Sequence, residues 1–166
     1  MQPHDLRNEE LKYLRSLFRA SANGDCIVLI VTDKLAELQN WSSTLKERFP
    51  HYTILEATTV ERGLGLWRDQ KVDCVIVDLD MPDESGFKLL FTLNPDPKRP
   101  TIAVVTLTRV PHRHLHDLLL RHGTQAVLVK NRTSSEDWTR AIHSAMAAAA
   151  ATNRDLPRKV DCILLP

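Results

Sequence analysis

The stretch Asp73-Cys-Val-Ile-Val-Asp78-Leu-Asp80-Met-Pro82-Asp-Glu-Ser-Gly86 decides the fold. Its apolar run, Val75-Ile76-Val77, stops at a carboxylate, Asp78, and a second acid, Asp80, follows two residues on. A strand that ends in an acid places that acid at the carboxyl edge of a sheet. In open α/β sheets, ligands bind outside that edge. Every other segment matters for whether it brings a partner to Asp78.

Working outward, the neighbouring segments repeat a strand-then-helix pattern. Cys26 to Val31 is a continuous apolar run that reads as a strand buried on both faces and ends at Thr32-Asp33. Leu35, Leu38, Trp41, Leu45 and Phe49 follow at helical spacing, and Pro50 closes that helix. Tyr52 to Ala57 reads as a more exposed strand, and Thr58 or Thr59 caps a helix with Val60, Leu64 and Trp67 on one face. Gly63-Leu-Gly65 lies inside that helix, so it is no dinucleotide loop. After Gly86 a short helix carries Phe87, Leu89, Leu90 and Leu93. Thr101 to Thr106 reads as a fourth strand, and Pro111 opens a helix whose apolar positions are Leu115, Leu118 and Leu119 and which Gly123 ends. Gln125 to Val129 is the fifth strand, ending at Lys130, and Ser134 to Asp137 reads as a capping box for a last helix. Five rounds of strand and helix imply a doubly wound α/β fold with a parallel sheet.

The ends of the chain read differently. Residues 1–24 hold an amphipathic helix with Leu6, Tyr13, Leu14, Leu17 and Phe18 on one stripe, an extra element suited to covering the domain or to dimerisation. The α/β domain spans 25–147, and 148–166 is a C-terminal extension or linker, too short for a DNA-binding or catalytic output domain. A stand-alone domain and a fragment of a longer protein both remain open.

Composition limits the function. The 22 basic and 21 acidic residues give a net charge of +1, so no global field favours nucleic acid or an anionic membrane. The three cysteines are odd in number and lack a metal or redox spacing, which suits a reducing, cytoplasmic setting. No signal-peptide core and no bilayer-length apolar run is present. His112, His114 and His116 lack an evident further ligand and read as solvated surface. Trp41, Trp67 and Trp138 read as packing on three helices.

Four strand ends carry polar groups: Asp33, Asp78, Thr106 and Lys130. Two nearby carboxylates form a hard-oxygen site suited to Mg²⁺. A carboxylate is also a competent nucleophile toward a phosphoryl group, and a cation, a lysine and a hydroxyl would stabilise the transferred charge.

This pattern resembles a response-regulator receiver domain of two-component signalling. The residues that carry the resemblance are Asp78-Leu-Asp-Met-Pro-x-x-x-Gly86, Gly123-x-x-x-x-Leu-Val-Lys130 and Thr106. The resemblance implies a flavodoxin-like five-stranded sheet in the order 2-1-3-4-5. It implies that Asp78 takes a phosphoryl group from a sensor histidine kinase or phosphotransfer protein. It further implies that Asp33, Asp78 and the backbone carbonyl of Asp80 hold Mg²⁺, that Lys130 contacts the phosphoryl oxygens, and that Thr106 reports its arrival. Such a domain is a single-turnover phosphoacceptor rather than an enzyme, acting on a downstream protein or a missing effector domain. A homodimer through the N-terminal helix or the fourth-helix/fifth-helix face is a further candidate.

Four positions depart from the family pattern. Thr32 stands where the family has a second acid, and Leu107 stands where it has Ala or Gly. Val127 replaces the aromatic switch residue, and Asn131 replaces the proline after the lysine. A cis bond before a non-proline residue costs about 2.5–4 kcal/mol, so a trans or rearranged turn is expected there. These departures keep a second function in view, a receiver-like interaction module that needs no phosphate. A distant third is a phosphatase-type hydrolase with Asp78 as nucleophile and Asp80 as acid.

Overall fold

The computed structural model of the chain describes residues 26–153. The N-terminal helix expected in 1–24 and the end of the extension expected in 148–166 lie outside the described residues. Five strands, β1 (Ile27–Val31), β2 (Thr53–Ala57), β3 (Cys74–Asp78), β4 (Ala103–Thr108) and β5 (Ala126–Val129), form one sheet in the order β2-β1-β3-β4-β5. All four pairings are parallel. The expected α/β architecture and strand order are therefore observed. The helices are α1 (Leu35–Arg48), α2 (Val60–Asp69), α3 (Ser85–Leu93), α4 (Arg113–Arg121) and α5 (Ser135–Asn153).

Side chains alternate across each strand and build two cores. On one face Val28, Ile30, Ile76, Val105 and Leu107 pack under α1 and α5 through Leu38, Trp41, Leu45, Trp138 and Ile142. On the other face Leu29, Val31, Val75, Val77 and Val104 pack under α3 and α4 through Leu89, Leu90, Leu93 and Leu119, with Leu64 and Trp67 of α2 alongside. The alternation Cys74, Ile76, Asp78 places Asp78 on the α1 face, at the carboxyl end of a central strand.

Local chemistry sets the boundaries. Thr59 caps α2, its hydroxyl accepting from the Arg62 amide at 3.2 Å. The capping box is present: the Asp137 amide donates to Ser134 Oγ at 3.2 Å, and the Ser134 amide donates to Asp137 Oδ2 at 2.9 Å. α5 continues through the alanines to Asn153, beyond residue 147. α4 starts later than expected, at Arg113, so Pro111 precedes the helix, and Leu118 points outward at 48% exposure.

β4 is shifted by two residues from the expected 101–106. Thr101 is used by a loop clamp instead of the ladder: its amide donates to Asn94 Oδ1 at 3.0 Å and its hydroxyl to the Leu93 carbonyl at 2.8 Å. Asn94 is buried, and its Nδ2 donates to the Gly123 carbonyl at 2.8 Å. Gly123 has φ +90°, and a Cβ there would stand 2.8 Å from Asn94 Cβ. Among the described residues no helix is long and apolar enough to cross a membrane.

Candidate functional site

Asp78 ends β3 with its side chain fully buried, and both carboxylate oxygens are engaged. Oδ1 accepts from the Lys130 ammonium at 2.7 Å and from the Asp80 amide at 2.8 Å. Oδ2 accepts from the Thr32 hydroxyl at 2.7 Å, and the Lys34 ammonium lies 3.7 Å from it. Burial pushes the Asp78 carboxyl up, but Lys130, Thr32 and the Asp80 amide together outweigh it, and the group sits below the ordinary carboxylate range.

Lys130 is the hub. Its side chain is only 3% exposed, and its ammonium reaches Asp78 Oδ1, Glu37 Oε2 at 2.9 Å and Asp80 Oδ2 at 3.2 Å. The same ammonium lies 5.3 Å from the centre of the Trp41 ring, so Trp41 adds a cation–π contact to its packing role. Burial alone would lower the Lys130 value, but the three carboxylates outweigh it and hold the ammonium above its ordinary range.

Asp80 is a tied acid rather than a solvated one. Its Oδ1 accepts from the Thr108 hydroxyl at 3.1 Å and its Oδ2 from the Arg109 amide at 2.9 Å, besides Lys130. The Asp80 carbonyl accepts from Lys34 Nζ at 3.3 Å. Glu37, on the first turn of α1, pairs with both Lys130 and the Arg109 guanidinium. Gly86 lets α3 start against this strand end: a Cβ there would stand 2.2 Å from the Asp78 carbonyl oxygen. Asp83 and Glu84, at φ 55° and 56°, carry the turn that leads into it.

The predicted residues divide. Asp78 and Lys130 come together as expected, with the backbone of Asp80 beside them. Asp33 does not join them: it is exposed and makes no hydrogen bond or ion pair among the described residues. Register explains this, because Val31 pairs with Val77, which puts Thr32, not Asp33, level with Asp78. Thr106 is no strand end; it pairs with Val77 and Val127, on the face opposite Asp78, while Leu107 stands level with Asp78. The Thr106 hydroxyl is buried and has no hydrogen-bond partner. Val127 is thus the cross-strand neighbour of Thr106, where the resemblance implies an aromatic ring. Asn131 lies in a short 3-10 turn, Lys130–Arg132, without a cis bond. The histidines of α4 and its approach are exposed.

Lys34, Glu37, Thr108 and Arg109 were not legible as site members, and Thr32 was legible only as a departure from the family pattern. The oxygens implied for Mg²⁺ do not form its site as arranged here. One candidate, Asp33, is turned outward. The other two, Asp78 Oδ2 and the Asp80 carbonyl, both face the Lys34 ammonium. Among the described residues no three His, Cys, Asp or Glu side chains are grouped to hold a metal ion.

Comparison with known proteins fits this geometry. The sequence profile described as response regulator receiver domain matches residues 28–142. No curated protein sequence matches the chain. A receiver domain from Clostridium thermocellum superposes with a TM-score of 0.65 at 25% identity, covering 76% of this chain and 98% of its own. A CheY-like receiver domain protein from Methanospirillum hungatei JF-1 gives 0.64 at 22%, covering 77% and 98%. The signal receiver domain of a putative LuxO repressor protein from Vibrio parahaemolyticus gives 0.68 at 19%, covering 81% and 99%. With the profile spanning both the Asp78 strand and Lys130, the chain belongs to the response regulator receiver domain family.

Proposed function

We propose that this receiver domain works as a protein-interaction module whose state is not set by Mg²⁺-dependent phosphorylation of Asp78. The observation that carries the reading is the closure of Asp78. Its side chain has no exposed surface, and each oxygen already accepts from protein donors. A nucleophile must present a free lone pair in line with the phosphorus, and here the groups that cover Asp78 would first have to leave. Leu107, fully buried and level with Asp78, adds bulk on the same side. An interaction role draws support from the α4 side, where Val110, Leu118 and Leu120 are 51%, 48% and 42% exposed.

The test is intact mass after incubation with a small acyl phosphate and Mg²⁺. The reading expects no phosphoryl adduct on the wild-type chain. A stoichiometric, Mg²⁺-dependent adduct that Asp78→Asn abolishes would overturn it.

A second reading keeps Asp78 as a phosphoacceptor served by a sensor histidine kinase or phosphotransfer protein. The Thr108 hydroxyl favours it: it stands at the carboxyl end of β4, 3.1 Å from Asp80 Oδ1, on the same sheet edge as Asp78. In that step an Asp78 oxygen attacks phosphorus, the P–N bond of a phosphohistidine breaks as the P–O bond forms, and the imidazole leaves with a proton. The adduct just described would decide for this reading. The hydrolase reading gains nothing from Asp80, whose oxygens are all taken by Thr108, Arg109 and Lys130.

A further inference from the structure

Lys34 occupies a singular place. It is the residue just before α1, and its amide donates to Thr32 Oγ1 at 3.2 Å, within the same turn whose hydroxyl holds Asp78. That turn aims the side chain back across the sheet edge. Its ammonium ends 3.3 Å from the Asp80 carbonyl and 3.7 Å from Asp78 Oδ2, the two inward oxygens that a divalent cation would need. We propose that Lys34 is the resident cation of this site, a covalently attached substitute that keeps divalent metal out and roofs Asp78.

Charge balance supports this. The cluster holds three carboxylates, Glu37, Asp78 and Asp80, and three cations, Lys34, Lys130 and Arg109. Their contacts form one connected set. Glu37 faces Arg109 and Lys130, Asp80 faces Lys130, and Asp78 faces Lys130 and Lys34. The set is neutral without any added ion. Mg²⁺ dehydrates reluctantly and is held through carboxylates, so it gains least where fixed cations already balance their charge. A neutral cage offers no surplus of negative charge. Asp33, the one acid left over, is turned to solvent.

Lys34 is also the more replaceable of the two cations on Asp78. Its side chain is 30% exposed, against 3% for Lys130 and none for Asp78. Removing its charge leaves three carboxylates facing two cations and opens the path to Asp78 Oδ2. The inference deepens the proposed reading, because it names what holds Asp78 closed. It can be tested without any phosphodonor, so its failure is read separately from that of the reading.

The experiment is a titration of Mn²⁺ followed by the loss of its free electron-paramagnetic-resonance signal, with Mg²⁺ as competitor. It uses the full chain and the variants Lys34→Ala, Lys34→Met and Lys34→Ala/Asp78→Asn. Circular dichroism checks each fold, and Lys34→Met keeps the aliphatic stem should Lys34→Ala loosen α1. The expected result is no saturable binding by wild type. Both single variants bind at least tenfold more tightly, and the double variant loses it. Saturable wild-type binding, equal binding by wild type and variants, or no binding by either single variant would each overturn the inference.

Discussion

Replacing Lys130 by methionine probes the ion-pair cluster at its hub. Methionine keeps most of the stem over Trp41 and removes only the charge that serves Asp78, Glu37 and Asp80. Taking one partner from a buried pair costs about 3–5 kcal/mol, because the other charge is left without compensation. Lys34 stays near Asp78 and Arg109 stays on Glu37, which favours the lower end, about 3 kcal/mol. The lost cation–π contact adds about 0.5–1 kcal/mol. With a urea slope of about 1–3 kcal/mol per molar, the combined loss of about 3.5–4 kcal/mol should lower the unfolding midpoint by about 1–4 M at pH 7. The loss should also depend on pH. The Asp78 value is depressed in the folded state, so its wild-type contribution is complete above the unfolded carboxylate value, about 3.9, and disappears as pH falls through the lower folded value. In the variant, acid neutralises the stranded carboxylates, so the gap to wild type should be widest near neutrality and close below about pH 4. On the alkaline side the raised Lys130 value keeps its contribution complete below the unfolded lysine value, about 10.4, and loses it as pH rises through the folded one. A gap under about 1 kcal/mol at pH 7, or one that ignores pH, would refute the hub role.

Other substitutions test the surrounding frame. Gly86→Ala would drive a Cβ into the Asp78 carbonyl and Leu79 Cα, so urea unfolding should show a loss at the top of the about 1–3 kcal/mol range for overpacking, or beyond it. Thr32→Val keeps the shape but removes the hydroxyl that Asp78 Oδ2 accepts from. The expected loss is about 1.5–3 kcal/mol by the same assay, and no loss would show that the hydroxyl is idle. Asn94→Ala breaks the clamp between Thr101 and Gly123, with an expected loss of about 2–4 kcal/mol and faster hydrogen exchange at the Thr101 amide.

The sheet was legible because strand and helix signals alternate five times and the central strands are unbroken apolar runs. Asp78 and Lys130 were legible because each follows such a run directly. Asp33 stands apart because adjacency to a strand end does not by itself make side chains converge. One-residue alternation at the end of β1 sends Thr32 inward and Asp33 outward. Thr106 misled for a related reason. Thr101 and Ile102 have the residue types of a strand, but Asn94 claims the Thr101 amide, so β4 begins and ends two residues later. Lys34, Glu37 and Arg109 were invisible, since long charged side chains near a helix start ordinarily read as solvated surface. Only the fold shows that they reach one cluster. Thr108 is hidden in sequence because nothing before the fold shows that β4 runs two residues past Thr106.

The most direct test of the central claim is fluorine NMR of the full chain with Mg²⁺ and beryllium fluoride, a mimic of a phosphoryl group on Asp78. The account predicts no protein-bound fluorine resonance and an amide spectrum unchanged around Asp78, Thr106 and Lys130. A bound trifluoroberyllate that requires Mg²⁺ and is lost in Asp78→Asn would contradict it, and would mean that Lys34 yields its place to the metal.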